Sequence, residues 1–541
     1  MNDKAQKTVL KSAGAMGIAV LISRMLGLVR EQVFAAMFGA SNATDAYQIA
    51  FRIPNLLRDL FAEGAMSAAL VPTFIRIQKE EGGDRAWQLA TRVFVVLFGV
   101  VALIAAVGIA LSDPLVSLYA GAYRSVPGKF ELTVRMTRIM MPFFPLVALA
   151  AAFMAILNAC GRFFIPSFAS ALFNLVSIGV GVAMATVLPR YGIEPIEGMA
   201  YGVIAGGFFQ AAIQWPVLLK EGYRPLWRSP LRGGALRDPG LHRMMLLMIP
   251  GTVGLAATQI NILVNSIFAT SVGEGAVSWL NYSFRLMQFP IGVFGVSLAT
   301  ATLPMFSRHW TERQYPAAAD ELSQSVKRVF AINFPASAGL AFLGVPIISL
   351  IFEHGRFHAD DTRATANALA AYAVGLTAYS VVKVLVPICY ALGETRFAVF
   401  SSFFSVLSNL VFNWLFVKKL GFAGLAFGTS LTAILNSGLL WLLISRKLRA
   451  NGVGSPGAGL ARSCVLYAGT SILMGAVIFL LDDRVILPLN PDNPFWFRLL
   501  RVGLGVSAGV FLYWRTSIFM GLKETLEIAE LIKRRLGRGR S

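Results

Sequence analysis

Ala50-Phe51-Arg52 … Leu70-Val71-Pro72-Thr73-Phe74-Ile75-Arg76 returns later in the chain as Ser283-Phe284-Arg285 … Thr302-Leu303-Pro304-Met305-Phe306-Ser307-Arg308. Arg52 and Arg285 are 233 residues apart, Pro72 and Pro304 are 232 apart, and Phe61 and Phe294 fall in step between them. A second pair follows in the same order. Arg162-Phe163 … Asn174-Leu175-Val176 … Gly198-Met199-Ala200-Tyr201-Gly202 matches Arg396-Phe397 … Asn409-Leu410-Val411 … Gly424-Leu425-Ala426-Phe427-Gly428, at offsets of 226 to 235. One match among apolar residues is weak, but two in order at nearly one offset mark an internal duplication. The period holds an even number of expected helices, six, so both copies enter a membrane in the same sense. That is a parallel repeat: two six-helix lobes about an axis along the membrane normal, with a substrate site expected near the midplane at their interface.

The membrane itself is read from composition. The chain is 56% hydrophobic and 14% charged with a mean hydropathy of +0.65, where a soluble domain carries about 25% charge. Its apolar residues come in blocks of about 20, long enough to cross a bilayer. Windowed hydropathy gives about fourteen helices, near residues 12–38, 46–74, 89–112, 132–158, 163–188, 199–219, 244–271, 276–306, 327–352, 365–392, 397–417, 423–445, 462–481 and 496–514. The fold class expected is an all-α polytopic membrane protein. Residues 1–222 form the first lobe and 223–243 a basic loop. The second lobe covers 244–446, followed by a glycine-rich linker at 447–461. Two extra helices fill 462–516, and 517–541 is a basic tail.

The opening segment is too long and too charged for a cleavable signal. With the N-terminus in the cytoplasm, roughly 30 Lys/Arg fall inside and roughly 12 outside, the sense of the positive-inside rule. Both termini are then cytoplasmic. The net charge of +20 reads as topology and contact with anionic membrane lipid; no soluble basic domain exists to bind nucleic acid. Cys160, Cys389 and Cys464 have no paired spacing, and His354 and His358, four apart beside Glu353, Asp360 and Asp361, read as a solvated loop rather than a metal site. No P-loop, G-x-S-x-G or H-E-x-x-H motif is present. Neither enzyme chemistry nor a cofactor is indicated.

Charges that interrupt the apolar segments carry the functional reading. A charge at mid-bilayer costs about 2.5–3.5 kcal/mol on insertion scales, so it persists where it meets water, a partner or a ligand. The first two segments hold Ser23, Arg24, Gly27, Arg30, Glu31, Asp45, Arg52, Arg58, Asp59 and Glu63, and Arg285 recurs in the later copy. Arg24 and Glu31 are seven apart, on one helix face with Gly27 between them. Arginine suits a diphosphate because its planar fork donates two parallel hydrogen bonds and keeps its charge when desolvated. Glu31, Asp59 and Glu63 are expected to hold or release those guanidiniums; the plainer reading is that all these charges pair with one another and fix helix packing. Lys383, alone in its helix, either lines a cavity or snorkels. Asn265, Asn409, Asn413 and Thr429 form a polar set in the second half, a candidate ion site without a carboxylate, or simply interhelical hydrogen bonding.

At these residues the sequence resembles the MurJ (MviN) family of bacterial lipid II flippases. The resemblance rests on Ser23-Arg24-x-x-Gly27-x-x-Arg30, on Pro54-Asn55-Leu56-Leu57-Arg58 with Phe61-Ala62-Glu63-Gly64-Ala65, and on Arg285-Leu286-Met287-Gln288-Phe289-Pro290. It covers essentially the whole chain and places it in the MOP exporter superfamily beside MATE drug transporters. The resemblance implies two lobes in a V with a cationic central cavity, and movement of an undecaprenyl-pyrophosphate-linked peptidoglycan precursor to the outer leaflet of the bacterial cytoplasmic membrane. It implies a last helix pair that takes the lipid tail, and cell-wall synthesis enzymes as partners. Carried onto this sequence, the family's essential positions are Ser23, Arg24, Arg30, Asp45, Arg58 and Arg285, with Arg52 where a basic residue is usual. Some relatives have aspartates where this chain has Asn265 and Asn413, which puts sodium coupling in doubt and leaves membrane potential or another ion. Rivals are a flippase for another polyprenyl-linked oligosaccharide, a drug/cation antiporter with an anionic cavity, and a non-transporting scaffold.

Overall fold

The computed structural model describes residues 3–61, 65–224, 238–489 and 494–527. Among them every regular element is helical. Clustering by proximity divides the chain into two compact units, Met1–Val277 and Ser278–Ser541.

The first unit contains α1 (Asp3–Phe38), α2 (Asn42–Phe61), α3 (Ala65–Glu80), α4 (Gly83–Ala110), α5 (Ser112–Ala120), α6 (Lys129–Met140), α7 (Phe143–Ala159), α8 (Phe164–Val187), α9 (Glu197–Ala212), α10 (Trp215–Lys220) and α11 (Pro239–Thr270). The second is built from α12 (Ala276–Pro290), α13 (Val296–Thr311), α14 (Tyr315–Phe342), α15 (Gly344–Phe352), α16 (Ala359–Ala391), α17 (Thr395–Ala450), α18 (Leu460–Leu481) and α19 (Phe495–Phe519). A π-turn, Ile291–Gly295, joins α12 to α13 just after Pro290. Proline there lacks the donor a regular helix needs, and the wider turn absorbs the missing bond.

Nine helices among the described residues are long and apolar enough to cross a membrane, or ten if the bent pair α14–α15 counts as one span. Fourteen were expected, and this count covers the described residues alone. Segment 46–74 is split between α2 and α3 and carries Arg52, Arg58 and Asp59. Segments 397–417 and 423–445 run together as α17, which breaks at Gly421 (φ 57°, ψ −136°), a backbone only glycine adopts freely. Large apolar side chains stand uncovered along the spans, among them Phe98, Leu103, Phe403, Leu407, Val510 and Phe511. In a bilayer these meet lipid, where helices with internally satisfied backbones are required.

The duplicated Gly-x-x-x-Gly pairs occupy matching places. A Cβ on Gly198 would lie 2.4 Å from the Ala185 nitrogen, and one on Gly202 2.4 Å from the Ser177 carbonyl oxygen, so α9 packs backbone to backbone on α8. In the second unit a Cβ on Gly424 would lie 2.5 Å from the Phe416 carbonyl oxygen, and one on Gly428 3.0 Å from Asn413 Oδ1. Each pair therefore lets two antiparallel helices approach closely, the role small residues play in membranes.

Segment 244–271 is most of α11, which packs on α3, α2 and α5 within the first compact unit. Its N-terminus is anchored there. Asp238 caps the helix, accepting from Gly240 N–H (2.8 Å) and Leu241 N–H, and its carboxylate meets Arg85 (3.0 Å) and Arg92 of α4. Burial pushes this carboxyl's pKa up, but hydrogen bonds from Arg85, Arg92 and Gly240, with the Arg85 charge, hold it below the usual carboxylate range. The two helices after the linker, α18 and α19, pack on α14 and α15 and belong to the second unit.

Candidate functional site

In the first unit the expected charges fall into separate arrangements. Arg30 on α1 is buried (9% exposed), pairs with Glu31 at 3.2 Å, and has Phe51 and Phe173 rings 5.9 and 5.7 Å from its guanidinium carbon. Those rings pack on Phe143, so the guanidinium is held in an aromatic box where cation–π attraction offsets part of its desolvation. Glu31, expected to share a face with Arg24, is buried beside Arg30.

Arg58 donates through Nε (3.0 Å) and Nη2 (2.7 Å) to one oxygen of Asp59, and Gln259 Nε2 of α11 donates to the other at 3.2 Å. The pair is half-buried and sits on the same helix as Arg52, whose Nη1 donates to Ser266 Oγ at 2.7 Å. Arg52 and Arg58 both lie on α2 and both reach α11 residues, directly or through Asp59. Glu63 lies outside the described residues.

Asp45 is fully buried. It accepts from Lys129 Nζ (3.0 Å) and Gly275 N–H (2.8 Å), while Lys129 Nζ also donates to Asn42 Oδ1 (2.8 Å) and stands 4.1 Å from the centre of the Tyr123 ring. Lys129 is 84 residues from its partner. It follows Gly128 in what reads locally as an ordinary loop, and nothing in the sequence marks it. Gln259 and Ser266 are equally inconspicuous.

Arg24 differs from the rest. It is exposed, and among the described residues it has no acidic partner. Beside it, the Ser23 carbonyl accepts from Asn174 Nδ2 of α8 at 3.2 Å, and a Cβ on Gly27 would lie 3.7 Å from the same nitrogen. Asn174 thus fixes the stretch of α1 that presents Arg24. It was visible in advance only as a letter in the repeat.

In the second unit Arg285 is half-buried on α12, five residues before Pro290 and the π-turn. Lys383 is exposed on α16, without an acidic partner among the described residues. Asn409, Asn413 and Thr429 come together as a buried amide chain: Asn413 Nδ2 donates to Asn409 Oδ1 (2.9 Å), Asn409 Nδ2 to Thr429 Oγ1 (3.4 Å), and Thr429 Oγ1 to the Leu425 carbonyl (2.7 Å). Asn265 lies on α11 in the first unit. Among the described residues no group of three His, Cys, Asp or Glu side chains could hold a metal ion, and His354 instead packs its ring on Phe495.

Residues 34–488 match the family described as Lipid II flippase MurJ. The chain belongs to the MurJ family. A relative from Burkholderia cenocepacia, named lipid II flippase MurJ, is 35% identical over 459 residues, covering 85% of this chain and 87% of the relative. A solved structure of a lipid II flippase MurJ in an inward closed conformation matches with a TM-score of 0.74 at 25% identity, covering 93% of this chain and 98% of that one. An inward-facing MATE multidrug transporter of the MOP superfamily matches at 0.68 and 16% identity, over 79% and 95% of the two chains. At that identity it shows a shared fold and nothing more; the family and the long apolar helices make this a multi-span membrane protein.

Proposed function

We propose that this protein is a transporter that moves lipid II from the inner to the outer leaflet of the bacterial cytoplasmic membrane, making and breaking no covalent bond. Its membership of the MurJ family supports the substrate. One observation carries the mechanism: Arg24 stands uncovered in an apolar helix with no acidic partner among the described residues. A guanidinium so placed is costly unless it meets water or an anionic ligand, and a diphosphate matches its forked donors.

In this reading Arg24, Arg52, Arg58 and Arg285 bind the headgroup, which is exposed first to one side of the membrane and then to the other. Ser23 and Gly27 set α1 against Asn174, and Arg30, enclosed by aromatic rings, holds the α1 face in place. Asp45, Glu31 and Asp59 orient basic partners, while Lys383 adds positive charge for the anion. Both termini face the cytoplasm, consistent with the balance of basic residues. The buried amide chain at Asn409, Asn413 and Thr429 acts as interhelical bonding; membrane potential, about 2.3 kcal/mol per charge per 100 mV, is the energy source that needs no ion site. The drug/cation antiporter reading expects acidic groups facing the substrate, whereas the exposed candidate charges, Arg24 and Lys383, are basic. The test depletes the protein in cells and supplies Arg24→Ala or Arg285→Ala. Lipid II trapped on the inner leaflet is the expected result, and normal outer-leaflet lipid II in a well-expressed variant removes those arginines from the mechanism.

A further inference from the structure

The far end of the last helix pair holds a buried carboxylate that the transport reading does not use. Glu524, just past α19, is 9% exposed and accepts one hydrogen bond, from Tyr467 Oη at 2.7 Å. Among the described residues no cation lies within ion-pair distance of it; the nearby Arg328 is directed to Glu321 and Glu527. A buried carboxylate with a single neutral donor is costly, and it calls for a proton or a positive ion.

The surroundings supply oxygen. Ser517 Oγ, fully buried on α19, and Thr525 Oγ1, next to Glu524, have no hydrogen-bond partner among the described residues. Thr525 lies beside both the Tyr467 and the Tyr513 hydroxyls, and Ser517 beside Tyr513. The phenols come from two helices, α18 and α19. Tyr513 donates to the Ala331 carbonyl of α14 at 2.7 Å. Gly521 (φ 65°) turns the chain after α19, with the Leu522 N–H returning to the Ser517 carbonyl, and this brings Glu524 and Thr525 back under the helix pair. Buried hydroxyls left without partners need explaining. Here they stand by the hydroxyls of Tyr467 and Tyr513, next to a buried carboxylate that has no counter-charge among the described residues.

We infer that Glu524, Thr525 and Ser517, with the hydroxyl oxygens of Tyr467 and Tyr513, form a binding site for a monovalent metal cation, sodium or potassium, which fastens the C-terminal segment to α18 and α19. The donors are all oxygen, which selects a hard ion. A single carboxylate balances a single positive charge, whereas calcium sites gather several charged ligands. The site lies wholly in the second unit and does not depend on what the protein transports.

The test uses the purified full-length protein in detergent. Its melting temperature is followed as sodium or potassium chloride replaces choline chloride up to about 0.1 M at constant ionic strength, so that screening is unchanged. Linkage predicts a rise that saturates with the bound ion in the wild type and none in Glu524→Gln. Ser517→Ala keeps the charge and loses one ligand, so its response shifts to a concentration about tenfold higher; this variant decides the matter if Glu524→Gln does not fold. Direct binding of radioactive sodium, displaced by unlabelled sodium or potassium but not by choline, gives the same answer without melting. A wild type indifferent to the exchange, or one that responds as Glu524→Gln does, overturns the site and leaves the cluster to a proton or to water.

Discussion

Asn174 in the first unit and Asn409 in the second are the same letter of the repeat, each on a helix packed against its glycine-bearing partner, yet they bond differently. Asn174 reaches out to the Ser23 carbonyl of α1, while Asn409 stays within its own hairpin, bonded to Asn413 and Thr429. Around Asn174 the unit places Arg24, the boxed Arg30 and, farther along, the Asp45–Lys129 pair. Around Asn409 the polar groups are neutral. Duplication kept the scaffold and let its polar interior diverge: one copy concentrates charge, the other satisfies buried amides.

Removing a buried charge's partner gives the largest effect. Lys129→Met strands Asp45 in a fully buried place, and such losses cost about 3–5 kcal/mol. Melting in detergent is expected to fall steeply, with part of the loss recovered in Asp45→Asn/Lys129→Met. The amide chain of the second unit contains nothing comparable, and an equal loss from Asn413→Leu would break the contrast. Next come the glycines. Gly202→Ala drives a methyl to 2.4 Å from the Ser177 carbonyl oxygen, a backbone atom that cannot step aside, whereas Gly428→Ala meets the Asn413 side chain at 3.0 Å. Overpacking costs about 1–3 kcal/mol, so the first variant should melt well below the second; equal melting would show that the two hairpins are not packed as described.

The asparagines themselves sharpen the point. Hydrogen bonds between membrane helices contribute about 0.6 kcal/mol on average and up to about 1.7. Asn174→Ala and Asn409→Ala should therefore destabilise to a similar, small degree, but only Asn174→Ala should also slow flipping, because it loosens the part of α1 that carries Arg24. A transport defect confined to Asn409→Ala would reverse the assignment. The smallest effect concerns Asp238. Its pKa is depressed in the fold, so its contribution is complete above the ordinary carboxylate value of about 3.9 and is lost as pH falls through the lower folded value. Asp238→Asn should flatten that part of the acid-melting profile, and an unchanged profile would detach Asp238 from the anchoring of α11.

Much of this was legible in the chain. Apolar block length gave the membrane class, and the spacing of Arg52 with Arg285 and of Gly198-x-x-x-Gly202 with Gly424-x-x-x-Gly428 gave the duplication. The interrupting charges marked where ion pairs form in the first unit. What stayed hidden was pairing at long range. Lys129 finds Asp45 across 84 residues and Gln259 finds Asp59 across 200, and no local pattern encodes such meetings. Arg30 reads like Arg24 in sequence; only the arrival of Phe51 and Phe173 from two other helices encloses one and leaves the other open. Hydropathy likewise counts a helix such as α11 without saying what it packs on.

The most direct test of the central claim measures lipid II flipping by purified protein in proteoliposomes, comparing wild type, Arg24→Ala and Arg24→Lys at matched protein content and melting temperature. Arg24→Ala is expected to lose at least about tenfold in rate, the worth of one charge-assisted hydrogen bond. Arg24→Lys should fall between, since it keeps the charge but not the fork. A folded Arg24→Ala protein that flips lipid II at the wild-type rate would contradict the account.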